Sequence, residues 1–199
     1  MIVVSPLHHL DALVARHRPS HVLSLLSPGH AAGAAREPPF ERHLQLFFHD
    51  IAEARDGLIA PDAASIDEIL AFSRDWGCAS PMLVHCWAGI SRSSAAAFMI
   101  ACARNPGCED QIADELRRRA PFATPNPLMV ALADDLLRRS RRMIAAIERI
   151  GRGAEAFEGA PYEMPVAFPR GRSSSGVVDG IDDANLDAAL LKDDLRPFE

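Results

Sequence analysis

A short apolar strand pattern, Met82–His85, is followed by a six-residue loop and then by an apolar helix pattern, Arg92–Cys102. The helix therefore begins right after the loop that leaves the strand. Strand and helix patterns alternate in the same way through the first 150 residues, which predicts an α/β fold with a mostly parallel central sheet flanked by helices. The other predicted strands are Ile2–Val4, Val22–Leu26 and Leu44–Phe48, and the other predicted helices are Leu7–Arg18, Pro61–Trp76, Glu109–Arg119 and Leu128–Ile150.

The charge of the 199-residue chain is uneven along its length. Residues 1–150 carry a net charge of −1, whereas residues 151–199 carry −5 and hold half of the 12 glycines. We therefore expect one folded domain over residues 1–150 and an acidic tail over residues 151–199 that is loosely structured or docked on the core. Within the tail, Ile181–Leu195 has the pattern of a short amphipathic helix.

Composition narrows the classes of partner and the compartment. No apolar run reaches the length of a membrane span, and the N-terminal residues lack the features of a signal peptide. The net charge of −6 disfavours a nucleic-acid partner. We expect a cytoplasmic protein without a membrane or nucleic-acid partner. Four cysteines show no zinc-site spacing, and we expect three of them, Cys78, Cys102 and Cys108, to be reduced core thiols.

The loop between the strand and the helix carries a specific residue pattern. Cys86 and Arg92 have the spacing Cys-x5-Arg, which this composition produces by chance roughly 0.4 times. Requiring His85 before the cysteine, Gly89 at the third loop position and Ser93 after the arginine lowers the expectation to about 10⁻⁴. The full pattern therefore indicates a functional loop rather than a coincidence.

Each residue type in this loop suits the binding of an anion and attack on it. The reactive form of Cys86 is the thiolate, and backbone N–H groups wrapped over a helix N-terminus stabilise a thiolate as they bind phosphate. Arg92 offers a planar fork for two oxygens. Gly89 permits a tight curl of the backbone. Ser93 can donate a hydrogen bond to the thiolate, and His85 can orient the loop through its ring nitrogens.

On these residues the chain resembles the protein tyrosine phosphatase superfamily, closest to the small dual-specificity members and their bacterial relatives. The resemblance covers roughly residues 1–140 and implies a dual-specificity-phosphatase-like fold. A second match, Arg118–Pro127, is similar to the arginine-rich helix end and Pro-Asn-Pro segment of those enzymes, in which the asparagine, here Asn126, braces the loop. The implied phosphate-binding loop consists of Trp87, Ala88, Gly89, Ile90, Ser91 and Arg92.

The resemblance also implies a general acid some 30–40 residues before the cysteine, on a loop that follows a strand. Asp50 lies directly after the predicted strand Leu44–Phe48 and is the favoured candidate. Asp56 precedes Gly57 and also suits a turn. Asp62 follows Pro61 and is typical of a charge in the first turn of a helix.

The reaction implied by the resemblance is metal-independent hydrolysis of a phosphate monoester through a cysteinyl phosphate, with no cofactor. The variable loop residues Trp87, Ala88, Ile90 and Ser91 include no basic side chain. This favours a phosphoprotein, especially phosphotyrosine, or a small aryl phosphate over a phosphoinositide. Tyr162 is the only tyrosine, so the tyrosine-containing loop that deepens the pocket of tyrosine-specific enzymes is missing.

Three alternatives remain open from the residues. A rhodanese-like sulfurtransferase also uses a loop cysteine, but it has no counterpart to Asp50 or to Ser93. A catalytically weak phosphate-binding module is the second alternative, although such proteins usually lack the cysteine, the arginine or the acid. The third is a metal-dependent HD-type phosphohydrolase, suggested by the pair His49-Asp50. That class is all-helical, whereas the pair here ends a predicted strand.

Overall fold

The computed structural model describes residues 1–29 and 42–169. A 3-10 turn, Leu7–His9, connects the first strand to the first helix. The strands are β1 (Ile2–Pro6), β2 (His21–Leu26), β3 (Arg42–Phe47), β4 (Met82–Cys86) and β5 (Tyr162–Met164), and the helices are α1 (Leu10–His17), α2 (Ala63–Asp75), α3 (Arg92–Arg104), α4 (Glu109–Arg119), α5 (Pro127–Leu136) and α6 (Arg142–Ile150).

Within the described residues the strands form one sheet in the order β3-β2-β4-β1-β5. The first four strands along the chain run parallel to one another, and β5 pairs antiparallel with β1. The prediction of an α/β fold with a mostly parallel sheet flanked by helices is confirmed.

The sheet is covered on both faces. On one face, Val3, Val22 and Leu83 pack with Leu13 of α1 in a small cluster. The other face carries the large core, to which α2 to α6 contribute. Helix α3 is buried along nearly its whole length and contacts both β4 and β1. An apolar helix without a polar face is typical of such a central position.

The parallel strands bring four loops to one edge of the sheet. The carboxyl ends of β1, β2, β3 and β4 all point to this edge, where open α/β sheets bind their ligands. In the register of β1 and β4, Pro6 lies beside Cys86. The residues that follow the four strands therefore meet around the start of α3.

The prediction of one long helix over Leu128–Ile150 is wrong, because the chain forms α5 and α6 with a turn between them. Arg138, Ser140 and Arg141 have left-handed backbone angles there. The buried carboxylate of Asp134 accepts hydrogen bonds from the backbone N–H groups of Arg141 at 2.7 Å and Met143 at 2.9 Å. These bonds satisfy donors at the start of α6 that a continuous helix would have used internally.

The prediction for Asp62 also changes. Asp62 is the N-cap of α2 rather than a residue of its first turn, and its carboxylate accepts hydrogen bonds from the backbone and hydroxyl of Ser65. The Ser65 side chain and then its backbone hold the pKa of Asp62 below the usual value. Asp62 thus has a local structural role at the start of a helix.

The first part of the predicted tail forms strand β5. Residues 151–161 cross the molecule to reach the edge of β1, and the Ala154 N–H donates to the Pro121 carbonyl on the way, at 2.9 Å. The predicted amphipathic helix Ile181–Leu195 lies outside the described residues. In the two described ranges no helix has both the length and the apolar character needed to cross a bilayer.

Asp134→Ala is expected to destabilise the protein by about 2–3 kcal/mol, because two N–H donors at the start of α6 lose a buried acceptor. Urea unfolding followed by circular dichroism measures the change. The neighbouring carboxylate Asp135 is exposed, so Asp135→Ala is the matched control and should cost less than about 0.5 kcal/mol. Equal effects of the two substitutions would contradict the capping role.

Candidate active site

In residues 86–92, which we name the Cys86 loop, four carbonyl groups are bonded to the chain around the loop. The Trp87 carbonyl accepts from the Leu7 N–H at 3.1 Å, and the Ala88 carbonyl from the Gly159 N–H at 2.8 Å. The outward carbonyls are thus bonded to several separate segments of the chain. On the other side of the loop, the Ile90 carbonyl accepts from the Thr124 N–H at 3.1 Å, and the Ser91 carbonyl from the N–H groups of Asn126 at 3.4 Å and Ala95 at 2.9 Å.

Outward carbonyls turn the N–H groups of the loop inward, because the C=O and N–H of a trans peptide point in opposite directions. The inward groups belong to Ala88, Gly89, Ser91 and Arg92. The Gly89 N–H shows this directly, since it donates to the sulfur of Cys86 at 3.2 Å. The loop therefore forms a concavity lined by N–H groups at the N-terminus of α3, a geometry that suits an anion.

The sulfur of Cys86 lies at the bottom of this concavity. The cysteine is 2% exposed. Its sulfur is 3.2 Å from the hydroxyl oxygen of Ser93, in the first turn of α3. The hydroxyl of Ser93 and the N–H of Gly89 thus both lie within hydrogen-bond distance of this one sulfur.

Arg92 is buried beside the loop, with its guanidinium fixed by two neighbouring strand ends. Nη1 donates to the Phe48 carbonyl at 2.8 Å and lies 3.3 Å from the Ser27 hydroxyl. Nε is buried and has no hydrogen-bond partner among the described residues. The nearest acidic group is Asp50, whose Oδ2 is 3.8 Å from Nε. A buried N–H without a partner is costly unless a ligand supplies the acceptor.

Asp50 lies at the rim of the loop, three residues after the end of β3. Its Oδ1 accepts from the Ser91 hydroxyl and from Asn126 Nδ2, each at 2.8 Å. The structure thus brings Asp50, Cys86 and Arg92 to one place. Asp56, the other candidate acid, lies at an exposed turn.

Asn126 connects the two loops. Its Nδ2 donates to the Asp50 carboxylate and lies 3.2 Å from the Ile51 carbonyl, and its Oδ1 caps α5 by accepting from the Met129 N–H at 3.0 Å. Its backbone N–H reaches the Ser91 carbonyl. The side chain is therefore fixed by a helix start while it bridges the Asp50 segment and the Cys86 loop.

His85 lies under the loop in a chain of buried polar groups. Its Nε2 is 2.6 Å from the Ser24 hydroxyl, which also lies 2.8 Å from His43 Nε2. Burial lowers the pKa of His85 to about 4; the Cys86 backbone opposes this shift and His43 adds to it. Burial also lowers the pKa of His43. Both rings are thus favoured in the neutral form, which lets hydroxyl groups bond to them in either direction.

Sequence reasoning missed one contact that supports the loop from the tail. The buried Tyr162 of β5 donates its hydroxyl proton to the Ser94 hydroxyl at 2.9 Å, next to Ser93 in α3. Burial, above all, raises the pKa of Tyr162, and Cys86 adds to the shift. The one available signal was that the only tyrosine of the chain lies in an apparent tail. Trp87, by contrast, projects from the loop and is 52% exposed.

Comparison with solved structures identifies the architecture. PTPMT1 in complex with PI(5)P superposes with a TM-score of 0.56 at 11% sequence identity, over 70% of this chain and 91% of that one. DUSP15 gives a TM-score of 0.54 at 19% identity, over 76% and 94%. The chain has the dual-specificity phosphatase fold. The phosphatase domain of Yvh1 from Chaetomium thermophilum matches this fold as well, with a TM-score of 0.50 at 21% identity over 71% and 93% of the chains.

The resemblance predicted from the sequence is thus confirmed at the level of the fold. No protein-family model and no curated protein sequence matches the chain. In the described ranges, no three His, Cys, Asp or Glu side chains come together as a metal-binding group.

Gly89→Ala is expected to destabilise the protein by about 2–4 kcal/mol. Gly89 has a φ of +71°, and an added Cβ would lie 2.6 Å from the backbone nitrogen of Pro6. Gly107→Ala is the matched control: its φ is +86° but nothing lies within 4 Å of its Cβ position, so it should show only the backbone cost of about 1–2 kcal/mol. Thermal unfolding compares the two. Equal losses would show that contact with Pro6 costs nothing.

The pKa of about 4 for His85 makes stability depend on pH. Because this pKa is below the unfolded value of 6.5, the unfolded chain binds the proton more readily, and stability falls as pH drops from about 6.5 to 4. The loss approaches about 3 kcal/mol at 1.4 kcal/mol per unit of pKa. Urea unfolding of wild type and His85→Gln at pH 7 and pH 4.5 measures it, and most of this dependence should be absent from the variant. Parallel pH profiles would contradict the assignment.

Proposed function

We propose that this protein is a cysteine-dependent phosphatase that hydrolyses phosphate monoesters through a cysteinyl phosphate. The observation that carries the proposal is the convergence of three groups at one concavity: the Cys86 sulfur, the Gly89 N–H that donates to it, and the buried Nε of Arg92, which has an ion-pair contact with Asp50 but no hydrogen-bond partner among the described residues. A phosphate dianion bound there would supply an acceptor for Arg92 Nε and for the N–H groups of the loop. The dual-specificity phosphatase fold supports the same conclusion by analogy.

In the first step the Cys86 thiolate attacks phosphorus in line with the leaving oxygen. The S–P bond forms as the P–O bond breaks, while Arg92 and the loop amides hold the three remaining oxygens. Asp50 transfers its carboxyl proton to the leaving oxygen. This role requires Asp50 at the rim of the loop, where the Ser91 hydroxyl and Asn126 hold it.

In the second step a water attacks the cysteinyl phosphate. The Asp50 carboxylate takes a proton from this water, the S–P bond breaks, and inorganic phosphate and the Cys86 thiolate are released. The Ser93 hydroxyl, 3.2 Å from the sulfur, stabilises the departing thiolate. The positive charge needed at phosphorus comes from Arg92 and the loop amides.

A phosphoprotein, particularly one with phosphotyrosine, or a small aryl phosphate is the proposed substrate class. The side chains at the variable positions of the Cys86 loop are uncharged, so they offer no cation for a second phosphate. PTPMT1 was solved with PI(5)P, and a phosphoinositide is therefore the competing substrate. The half-exposed indole of Trp87 at the rim favours an aromatic leaving group.

A rhodanese-like sulfurtransferase is the alternative within cysteine chemistry. Such an enzyme has no use for a carboxyl group at the rim of the loop or for a hydroxyl at the sulfur, and both are present here. A weak phosphate-binding module is disfavoured because Cys86, Arg92 and Asp50 are all retained. An HD-type phosphohydrolase is all-helical, whereas His49 and Asp50 here follow strand β3 of an α/β fold.

Aryl phosphate hydrolysis tests the proposal with Cys86→Ser and Asp50→Ala. Cys86→Ser should lose turnover entirely while still binding vanadate, because the anion site remains. Asp50→Ala should lower kcat/KM by about 10²–10⁴-fold for a phenol-like leaving group. The loss should be far smaller for a nitrophenol of low pKa, which leaves without a proton.

Asp56→Ala is the matched control for the acid. It should keep kcat/KM within about twofold of wild type for both leaving groups, because Asp56 lies at an exposed turn. A leaving-group-dependent loss in Asp56→Ala would move the acid to that residue. Turnover by Cys86→Ser, or thiosulfate–cyanide transfer by wild type without phosphate release, would overturn the phosphatase proposal.

A further inference from the structure

His49, the residue before Asp50, has no role in the proposed chemistry. Asp50 faces the Cys86 loop, whereas the imidazole of His49 contacts Ile59, ten residues further along the chain. Residues 49–59, called the acid loop below, leave the sheet after β3 and return before α2. His49 and Ile59 are the two ends of this loop.

Two hydrogen bonds join these ends. The His49 N–H donates to the Ile59 carbonyl at 2.7 Å. In return, the Ile59 N–H donates to His49 Nδ1 at 2.9 Å. One bond uses the backbone N–H of His49 and the other uses its ring, so both polar groups of this residue help to close the loop.

The ring nitrogen Nδ1 of His49 lies close to both backbone polar groups of Ile59, 2.9 Å from its nitrogen and 3.3 Å from its carbonyl oxygen. Nδ1 can therefore accept the Ile59 N–H in one tautomer of the ring or donate to the Ile59 carbonyl in the other. In His49→Ala the Ile59 N–H loses this partner. In His49→Asn the side-chain amide oxygen can accept the same N–H from about the same place.

Asp50 is one peptide bond beyond this closure. Its carboxylate accepts hydrogen bonds from the Ser91 hydroxyl and Asn126. The backbone just before it is tied to Ile59 through His49. The Ile51 carbonyl is also bonded to Asn126, whereas the rest of the loop is largely exposed and carries a left-handed turn at Gly57. The closure at the base of the loop and the contacts with Ser91 and Asn126 therefore set the direction of the Asp50 carboxylate together.

We propose that His49 is a positioning residue for the general acid, because its ring fastens the base of the acid loop and so fixes the direction of Asp50. The inference rests on the proposed function, in which Asp50 donates the proton. In this proposal His49 acts through Asp50 and has no part of its own in the chemistry. Its contribution should appear only where the reaction needs the Asp50 proton.

The test compares His49→Ala and His49→Asn in the full chain. In His49→Ala, kcat/KM should fall at least about tenfold for phenyl phosphate, whose leaving group needs a proton, because only part of the acid's contribution is lost. It should fall less than about threefold for 2,4-dinitrophenyl phosphate. His49→Asn should recover most of the loss, because its amide oxygen can accept the Ile59 N–H. The parameter kcat/KM reports only steps up to cysteinyl phosphate formation, which excludes the second role of Asp50.

Two controls separate positioning from general damage. Glu53→Ala changes an exposed side chain of the same loop and should leave both substrates within about twofold of wild type. Vanadate inhibition reports the Cys86 loop alone and should be unchanged in His49→Ala. Where His49→Ala does not fold, His49→Phe replaces it, because Phe keeps the ring and lacks the acceptor.

The outcomes distinguish this inference from the proposed function. Suppose that Asp50→Ala shows the leaving-group dependence, but that in His49→Ala kcat/KM falls equally for both substrates or for neither. The positioning role is then overturned while the proposed function stands. Failure of His49→Asn to recover activity on phenyl phosphate also overturns it. If Asp50→Ala itself shows no leaving-group dependence, the proposed acid is wrong and the role of His49 falls with it.

Discussion

The hydrogen bonds that hold the outward carbonyls of the Cys86 loop are the interactions on which the candidate site depends. Six residues between a strand and a helix do not by themselves choose which way their peptide groups face. N–H donors outside the loop fix this direction, since a buried carbonyl without a donor costs about 1–3 kcal/mol. Once the carbonyls of Trp87, Ala88, Ile90 and Ser91 are bonded outward, the N–H groups of the same peptides point to the opposite side, where the Gly89 N–H meets the sulfur.

The donors come from distant parts of the chain, and the sheet brings them together. Leu7 follows β1, Thr124 and Asn126 precede α5, and Gly159 precedes β5. The same edge supplies Ser27 after β2 and Phe48 after β3 for Arg92. The geometry of the candidate site thus depends on strand order and register as well as on the nine residues from 85 to 93.

The sequence predicted the parts of the molecule that follow from local pattern. The alternation of strands and helices and the spacing of Cys86, Gly89 and Arg92 are local, because periodicity and loop chemistry act over a few residues. The fold agrees with them. Asp50 was singled out by its place after a strand, and that strand puts it at the rim of the loop. Its role as an acid stays a prediction.

Contacts between distant residues could not be read in the same way. Strand β5 has three residues, too few for a period-two pattern, and its place beside β1 depends on contacts with α4 and the sheet. The break between α5 and α6 depends on a carboxylate, that of Asp134, which a helical pattern treats as one more polar position. Likewise, the link from Ser24 to His85 joins side chains of neighbouring strands, whose register no single stretch of sequence contains.

The antiparallel strand β5 also affects when the sheet can be completed during synthesis. Strand β1 is synthesised before β4 and β5, but it lies between them in the sheet and can pair only after they have been made. The Ala88 carbonyl obtains the Gly159 N–H, and Ser94 obtains the Tyr162 hydroxyl, only after those later residues have been synthesised. A nascent chain that already contains Cys86, Arg92 and Asp50 therefore holds the Cys86 loop without two of its supporting contacts. Completion of the candidate site is coupled to completion of the sheet.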